Sequence, residues 1–297
     1  MKTYPSIIKV ILAVFYIASS TSVAGFIANP GTCSTSNATL TSIQFTDGLA
    51  PSGELLSQPY NATHCAGVYP GNDDGGLSSP DPNIGRYQDG ILNGEDIMNG
   101  LEFITLSDLQ ALDPDGIAND PGWIHLGSLD TNGNVSYSSA GPTPSVNLTL
   151  DIGNLLTLEF GCLSGGFSDC NELSWELTTK LDIIPTVQEL LGESTFDHLA
   201  FSVKAGSEQS GGGFAVYDFD FNEIFANENN PLLNFNTPYK LAGNIYTGDL
   251  DNKGFSHLNV WARDPVDTSD VPEPDSLFLL ALVILLLVAK NKYRRIN

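Results

Sequence analysis

A two-residue alternation of apolar and polar side chains in the second half of the chain narrows what it can fold into more than any other feature. Val146, Leu148, Leu150 and Ile152 alternate with Asn147, Thr149 and Asp151. Leu156, Leu158 and Phe160 alternate with Thr157 and Glu159, and Leu199, Phe201 and Val203 with Ala200, Ser202 and Lys204. Ala215, Tyr217, Phe219 and Phe221 alternate with positions that include Asp218 and Asp220. Leu258, Val260 and Ala262 alternate with His257, Asn259 and Arg263. Successive side chains of a strand point to opposite faces, so a period of two predicts half-buried strands. Gly211-Gly212-Gly213 and the stretch Asp249 to Gly254 supply turns between them. Ile43, Phe45, Ile124 and Leu126 suggest further strands, whereas helix is confined to short pieces near Pro185–Leu191, ended by Gly192, and Ser107–Leu112. The expected fold is all-β, a β-sandwich or jelly roll of antiparallel strands over residues 25–265. Residues 25–140 are richer in loops, and their few strands are expected to share the core of residues 145–265.

Both ends of the chain read as export signals. Lys2 and Lys9 precede an apolar run from Val10 to Ala18, and Ser22-Val23-Ala24 places small residues at the cleavage-determining positions. Residues 1–24 thus read as a secretory signal peptide cut between Ala24 and Gly25, which implies passage through the Sec export machinery. At the other end an acidic linker, 266–270, leads into Val271-Pro272-Glu273-Pro274. The 13 residues from Leu277 to Ala289 carry no polar side chain, and Lys290, Lys292, Arg294 and Arg295 follow. As a helix this run is roughly 20 Å long against about 30 Å of hydrocarbon, short for a permanent anchor and long enough for a transient transmembrane helix. The basic residues act as a membrane stop on the cytoplasmic side, which places the body outside. Pro272 and Pro274 keep the preceding residues extended, a shape suited to capture by a processing enzyme.

The order Val-Pro-Glu-Pro, short Leu-rich span, terminal basic cluster resembles the PEP-CTERM sorting signal of Gram-negative bacteria, over about the last 27 residues. The resemblance implies that 271–297 is a sorting tail and the protein a substrate of an exosortase, a membrane cysteine transpeptidase. It also implies an envelope or matrix location beyond the inner membrane, in bacteria that make exopolysaccharide and biofilm. Residues 271–274 are then the recognised substrate, and the catalytic residues belong to the processing enzyme. The body segments Phe196–Gly206, Phe214–Tyr217 and Ser256–Trp261 are similar to β-rich bodies found before such tails, most of which have no assigned activity.

Six of the 12 Lys and Arg lie in the two end signals, which leaves six against 33 Asp and Glu in residues 25–270, a net charge of −27. So negative a surface repels nucleic acid and anionic lipid. The even set Cys33, Cys65, Cys162 and Cys170 lies wholly in the exported part, so disulfides are expected. Of three possible pairings the local ones, Cys33 with Cys65 and Cys162 with Cys170, are favoured. No Cys-x-x-Cys spacing supports zinc, and His64 beside Cys65 is a poor nucleophile pair if a disulfide consumes the thiol.

Candidate chemistry is sparse. Asp130, Asn132 and Asn134 put hard oxygens at alternate positions of a Gly turn, so structural calcium is the candidate cofactor. The EF-hand pattern fails, because Gly133 is misplaced and no closing Glu follows. Asp113-Pro114-Asp115-Gly116 with Asn119-Asp120, and Asn72-Asp73-Asp74-Gly75-Gly76, are oxygen-rich as well, although Asp, Asn and Gly form turns without any ion. Asp218-Phe219-Asp220-Phe221-Asn222-Glu223 resembles the paired-carboxylate strand of jelly-roll glycoside hydrolases, with Asp in place of the nucleophilic Glu. Otherwise it is the solvent face of an edge strand. Trp123, Trp175 and Trp261 could stack on sugar rings, Trp261 first because it lies on the polar side of its strand. The expected role is non-enzymatic, structural or adhesive beside exopolysaccharide, with a calcium-dependent carbohydrate-binding module as the alternative and a glycoside hydrolase as a weaker one.

Overall fold

Antiparallel pairing links strands far apart in sequence. The computed structural model describes residues 32–49, 51–73, 83–143, 146–192, 196–206 and 212–264. The expected signal peptide with Ala24 and Gly25, the expected linker 266–270, the motif Val271–Pro274, the apolar run 277–289 and Lys290, Lys292, Arg294 and Arg295 lie outside the described residues. Among the described residues no helix is long and apolar enough to cross a membrane.

The strands are β1 (Ala38–Phe45), β2 (Tyr60–Asn61), β3 (His64–Pro70), β4 (Trp123–Leu129), β5 (Val135–Tyr137), β6 (Ser139–Ala140) and β7 (Leu150–Asp151). They continue with β8 (Leu156–Cys162), β9 (Glu172–Thr179), β10 (His198–Ala205), β11 (Gly213–Asp220), β12 (Tyr239–Tyr246) and β13 (Phe255–Arg263). Two short helices, α1 (Ile183–Leu191) and α2 (Phe221–Glu228), follow β9 and β11. One sheet has the order β2-β1-β12-β9-β8, the other β3-β11-β10-β13-β4-β5, and β6 pairs with β7 alone. Strands from residues 38–137 thus complete both large sheets.

The sheets stack through their apolar faces. Leu199, Phe201, Val203 and Ala205 of β10, with Ala215, Tyr217 and Phe219 of β11, pack with Leu173, Trp175 and Leu177 of β9 in one continuous core. Trp175 bridges the layers, its ring centroid 4.8 Å from Phe201. A buried aromatic pair of this kind adds about 0.5–1.5 kcal/mol beyond its area. The disulfides Cys33–Cys65 and Cys162–Cys170 are formed. The first ties the segment before β1 to β3, and the second staples the β8–β9 connection.

Two expected strands are shorter than the alternation suggests. Within 146–152 only Leu150–Asp151 is a strand, because Asp151 turns the chain by accepting a hydrogen bond from the Gly153 N–H at 3.1 Å. β11 stops at Asp220, whose carboxylate accepts the Asn222 N–H at 2.8 Å and caps α2. The apolar residue Phe221 therefore begins a helix instead of ending a strand. α1 ends at Gly192, whose φ of +93° suits glycine.

The larger departure concerns the polar face of the second sheet. Every residue of β10 is buried, including His198, Ser202 and Lys204. Segment 83–122 covers that face and forms a second apolar cluster, in which Ile91, Leu92, Met98 and Ile104 pack on Trp123, Ala200, Phe214, Val216 and Trp261.

Candidate functional site

The covering segment is held by buried polar side chains that take the place of a missing strand. β5 pairs with β4 only at Gly127, Ser128 and Leu129. The backbone of Trp123 and His125 faces the open remainder of that edge. Asn93, fully buried, accepts the Trp123 N–H at 3.0 Å and donates to the Trp123 carbonyl at 2.7 Å and the Asp89 carbonyl at 2.6 Å. Asn83, also fully buried, accepts the His125 N–H at 2.9 Å and donates to the His125 carbonyl at 3.0 Å and the Ser139 carbonyl at 2.8 Å. A primary amide offers a carbonyl and two N–H groups, so it can pair both backbone groups of one residue as a neighbouring strand would. Arg263 clamps the same segment from β13. Its guanidinium lies 3.0 Å from Asp197 and donates to the Asp108 carbonyl at 3.0 Å and the Pro121 carbonyl at 3.3 Å.

At the β10–β11 end of this face, ionisable groups form a chain from surface to interior. His64 is about half exposed, and its Nδ1 lies 3.7 Å from the fully buried Asp218 carboxylate. Asp218 also meets His198 Nδ1 at 3.0 Å. His198 Nε2 lies 3.9 Å from both Asp197 and Asp220. Burial pulls the His198 imidazole down, but its hydrogen bond and charge interaction with Asp218, with Asp197 and Asp220 adding, outweigh it and hold the group above its ordinary value. The nearby Asp218 carboxylate raises His64 as well. Burial pushes the Asp197 carboxyl up, against the pull of Arg263. The Thr63 hydroxyl donates to the Asp218 carbonyl and accepts the Asp220 N–H, so it is committed to backbone. The array balances buried charge.

A second centre surrounds Asp73, which is buried between Ser202 and His257 and accepts from both, with Asn259 Nδ2 at 3.3 Å. Hydrolytic triads need the imidazole between hydroxyl and carboxylate, so that it can take the hydroxyl proton. Here the carboxylate is in the middle, so Asp73 docks its loop onto the sheet. Burial lowers the His257 imidazole, yet the bond to Asp73 prevails and leaves it raised. His125, beside Ser138, Ser128 and Asn259, is instead pushed down by burial to about 4 and stays neutral.

The residues singled out from sequence are dispersed. Asp130 lies in the β4–β5 turn and accepts from the backbone N–H of Asn132 and Asn134, both at 2.8 Å, and from both side-chain amides. Asn134 and its neighbours hold the carboxyl near 2. Asp120 is buried and accepts the N–H groups of Tyr87, Leu112 and Asp113, while Asp113 pairs with Arg86 at 3.0 Å. Among the described residues no group of three or more His, Cys, Asp and Glu could hold a metal ion. Asp74, Gly75 and Gly76 lie outside them. Asp218 and Asp220 do not form the solvent face of an edge strand, since β11 lies between β3 and β10 and Asp218 is fully buried. Trp261 is not a sugar platform. It is fully buried beneath Gly90, where a Cβ would stand 2.4 Å from its ring, and Trp123 and Trp175 are buried too. The roles of Asn83, Asn93 and Arg263 were not read from sequence.

A cavity of about 110 Å³ lies at one end of the sandwich, between the sheets and the two helices. Its wall includes Leu156, Val187, Phe225, Phe235 and Tyr239, and His198 of the ionisable array borders it. Comparison of the chain with protein-family models, curated proteins and solved structures finds no match to any of the three.

Proposed function

We propose that this chain is an exported, non-enzymatic β-sandwich protein of the bacterial envelope or extracellular matrix. An exosortase sorts and processes it through its C-terminal tail, and the body has a structural or adhesive role beside exopolysaccharide. One observation carries the reading: Val271-Pro272-Glu273-Pro274, the apolar run 277–289 and the basic group Lys290 to Arg295 follow one another in the order a processed membrane tail needs. The closure of all four cysteines into disulfides suits an oxidising compartment outside the cytoplasm. The excess of carboxylates suits a soluble, self-repelling surface there.

Expression in a host with and without the processing enzyme tests the reading. Glu273→Ala, or removal of Arg294 and Arg295, should leave uncut precursor in the membrane fraction. Mature-size protein from both variants would refute it.

A further inference from the structure

We propose that the cavity between α1 and α2 is a binding site for a small uncharged apolar molecule, of the size of a single ring or a short alkyl chain. This goes beyond sorting and assigns the body a ligand class. The cavity measures about 110 Å³, room for several waters by volume and a little less than the ~150 Å³ known to admit benzene in an engineered core. Three polar residues of its lining spend hydrogen bonds on the protein itself. The Tyr239 hydroxyl donates to the Leu232 carbonyl at 2.7 Å and accepts the Asn234 N–H at 2.8 Å. The Thr179 hydroxyl donates to the Tyr239 carbonyl at 2.8 Å, and that of Thr237 to Asn234 Oδ1 at 3.0 Å. Water inside would give up hydrogen bonds, whereas an apolar guest gives up none.

The walls are aromatic and separately supported. Phe225 packs on Phe221, Phe235 and Tyr239 at centroid distances of 5.6, 5.1 and 6.2 Å. Ile183, Ile184 and Val187 of α1 complete the wall. Residues of the two short helices and of the 229–238 connection line the cavity beside those of the sheets. Behind His198 stand Asp197, Asp218 and Asp220, and the whole body is strongly acidic, so an anionic headgroup is disfavoured there.

The test uses the disulfide-bonded exported protein with toluene as the neutral probe and hexanoate as the charged one. Toluene should raise the melting temperature saturably and shift the methyl resonances of Val187 and Leu156, and xenon should compete with it. Val187→Phe and Leu156→Phe, which fill the space from the helix and from the sheet, should each weaken toluene binding about tenfold or more while near-ultraviolet circular dichroism stays native. The wild-type measurements stand alone if either variant fails to fold. Absence of a saturable toluene effect, shifts elsewhere in the protein, undiminished binding by the folded variants, or hexanoate binding as tight as toluene would each overturn the assignment.

Discussion

Asn93→Asp is nearly isosteric, yet it should be among the most damaging single-atom changes in this protein. Asn93 makes three buried hydrogen bonds, one accepted from Trp123 N–H and two donated to the carbonyls of Trp123 and Asp89. An aspartate keeps the first and loses both donors, leaving two buried carbonyls facing an anion. Each unsatisfied group costs about 1–3 kcal/mol, so the loss is about 2–6 kcal/mol at neutral pH. Against a typical total of about 5–15 kcal/mol, that is enough to loosen the covering segment. The new carboxyl sits where only its protonated form can donate, so its folded-state pKa rises above the unfolded value of about 3.9. The penalty therefore grows as pH rises above that value and shrinks in acid, where the protonated group recovers one donor. Urea denaturation of wild type and Asn93→Asp at pH 4 and pH 7 reads both effects, with exposed Asn236→Asp as the control, expected within about 0.5 kcal/mol of wild type. A loss below about 1 kcal/mol at pH 7, or equal losses at the two pH values, would refute the strand-substitute role.

Because His198 is raised in the fold, its stabilisation is complete below the unfolded value of about 6.5 and disappears as pH climbs through the folded value. His198→Gln should therefore flatten the decline of the melting temperature as pH rises above about 6.5, and an unchanged slope would count against the array. His125 works in the opposite sense. It is neutral in the fold down to about 4, so it costs stability as pH falls below about 6.5, and His125→Gln should relieve that acid sensitivity in calorimetry. Replacing both cysteines of the Cys33–Cys65 pair, 32 residues apart, should cost about 3.7 kcal/mol by loop entropy, against about 2.6 for Cys162–Cys170, 8 apart. The reverse order in denaturant midpoints would contradict that assignment.

The sandwich was legible because its inner face obeys a period of two. Leu199, Phe201 and Val203 face the core as their spacing predicts. The outer face was misread because His198, Ser202, Lys204 and Trp261 look like surface residues when their strand is taken alone. One signal was available. Phe214, Ala215, Val216 and Tyr217 are consecutive apolar residues, and an unbroken apolar run marks a strand buried on both faces. The strand-replacing asparagines could not be found in the same way. Asn83 and Asn93 lie in a loop-rich stretch where Asn ordinarily reads as turn former, and their partners on β4 lie about 30 to 40 residues downstream. Asp220 ends β11 through a local cap, and Asp-Phe-Asn-Glu fits a helix start as well as a strand. The two expected end signals lie outside the described residues, and their reading rests on linear order and composition alone.

Intact-mass spectrometry of the mature protein from cells that carry the processing enzyme tests the export account most directly. The account predicts a chain that begins at Gly25 and ends close to Pro274, with its apolar run gone. A lasting product that still carries Asn297 would contradict it.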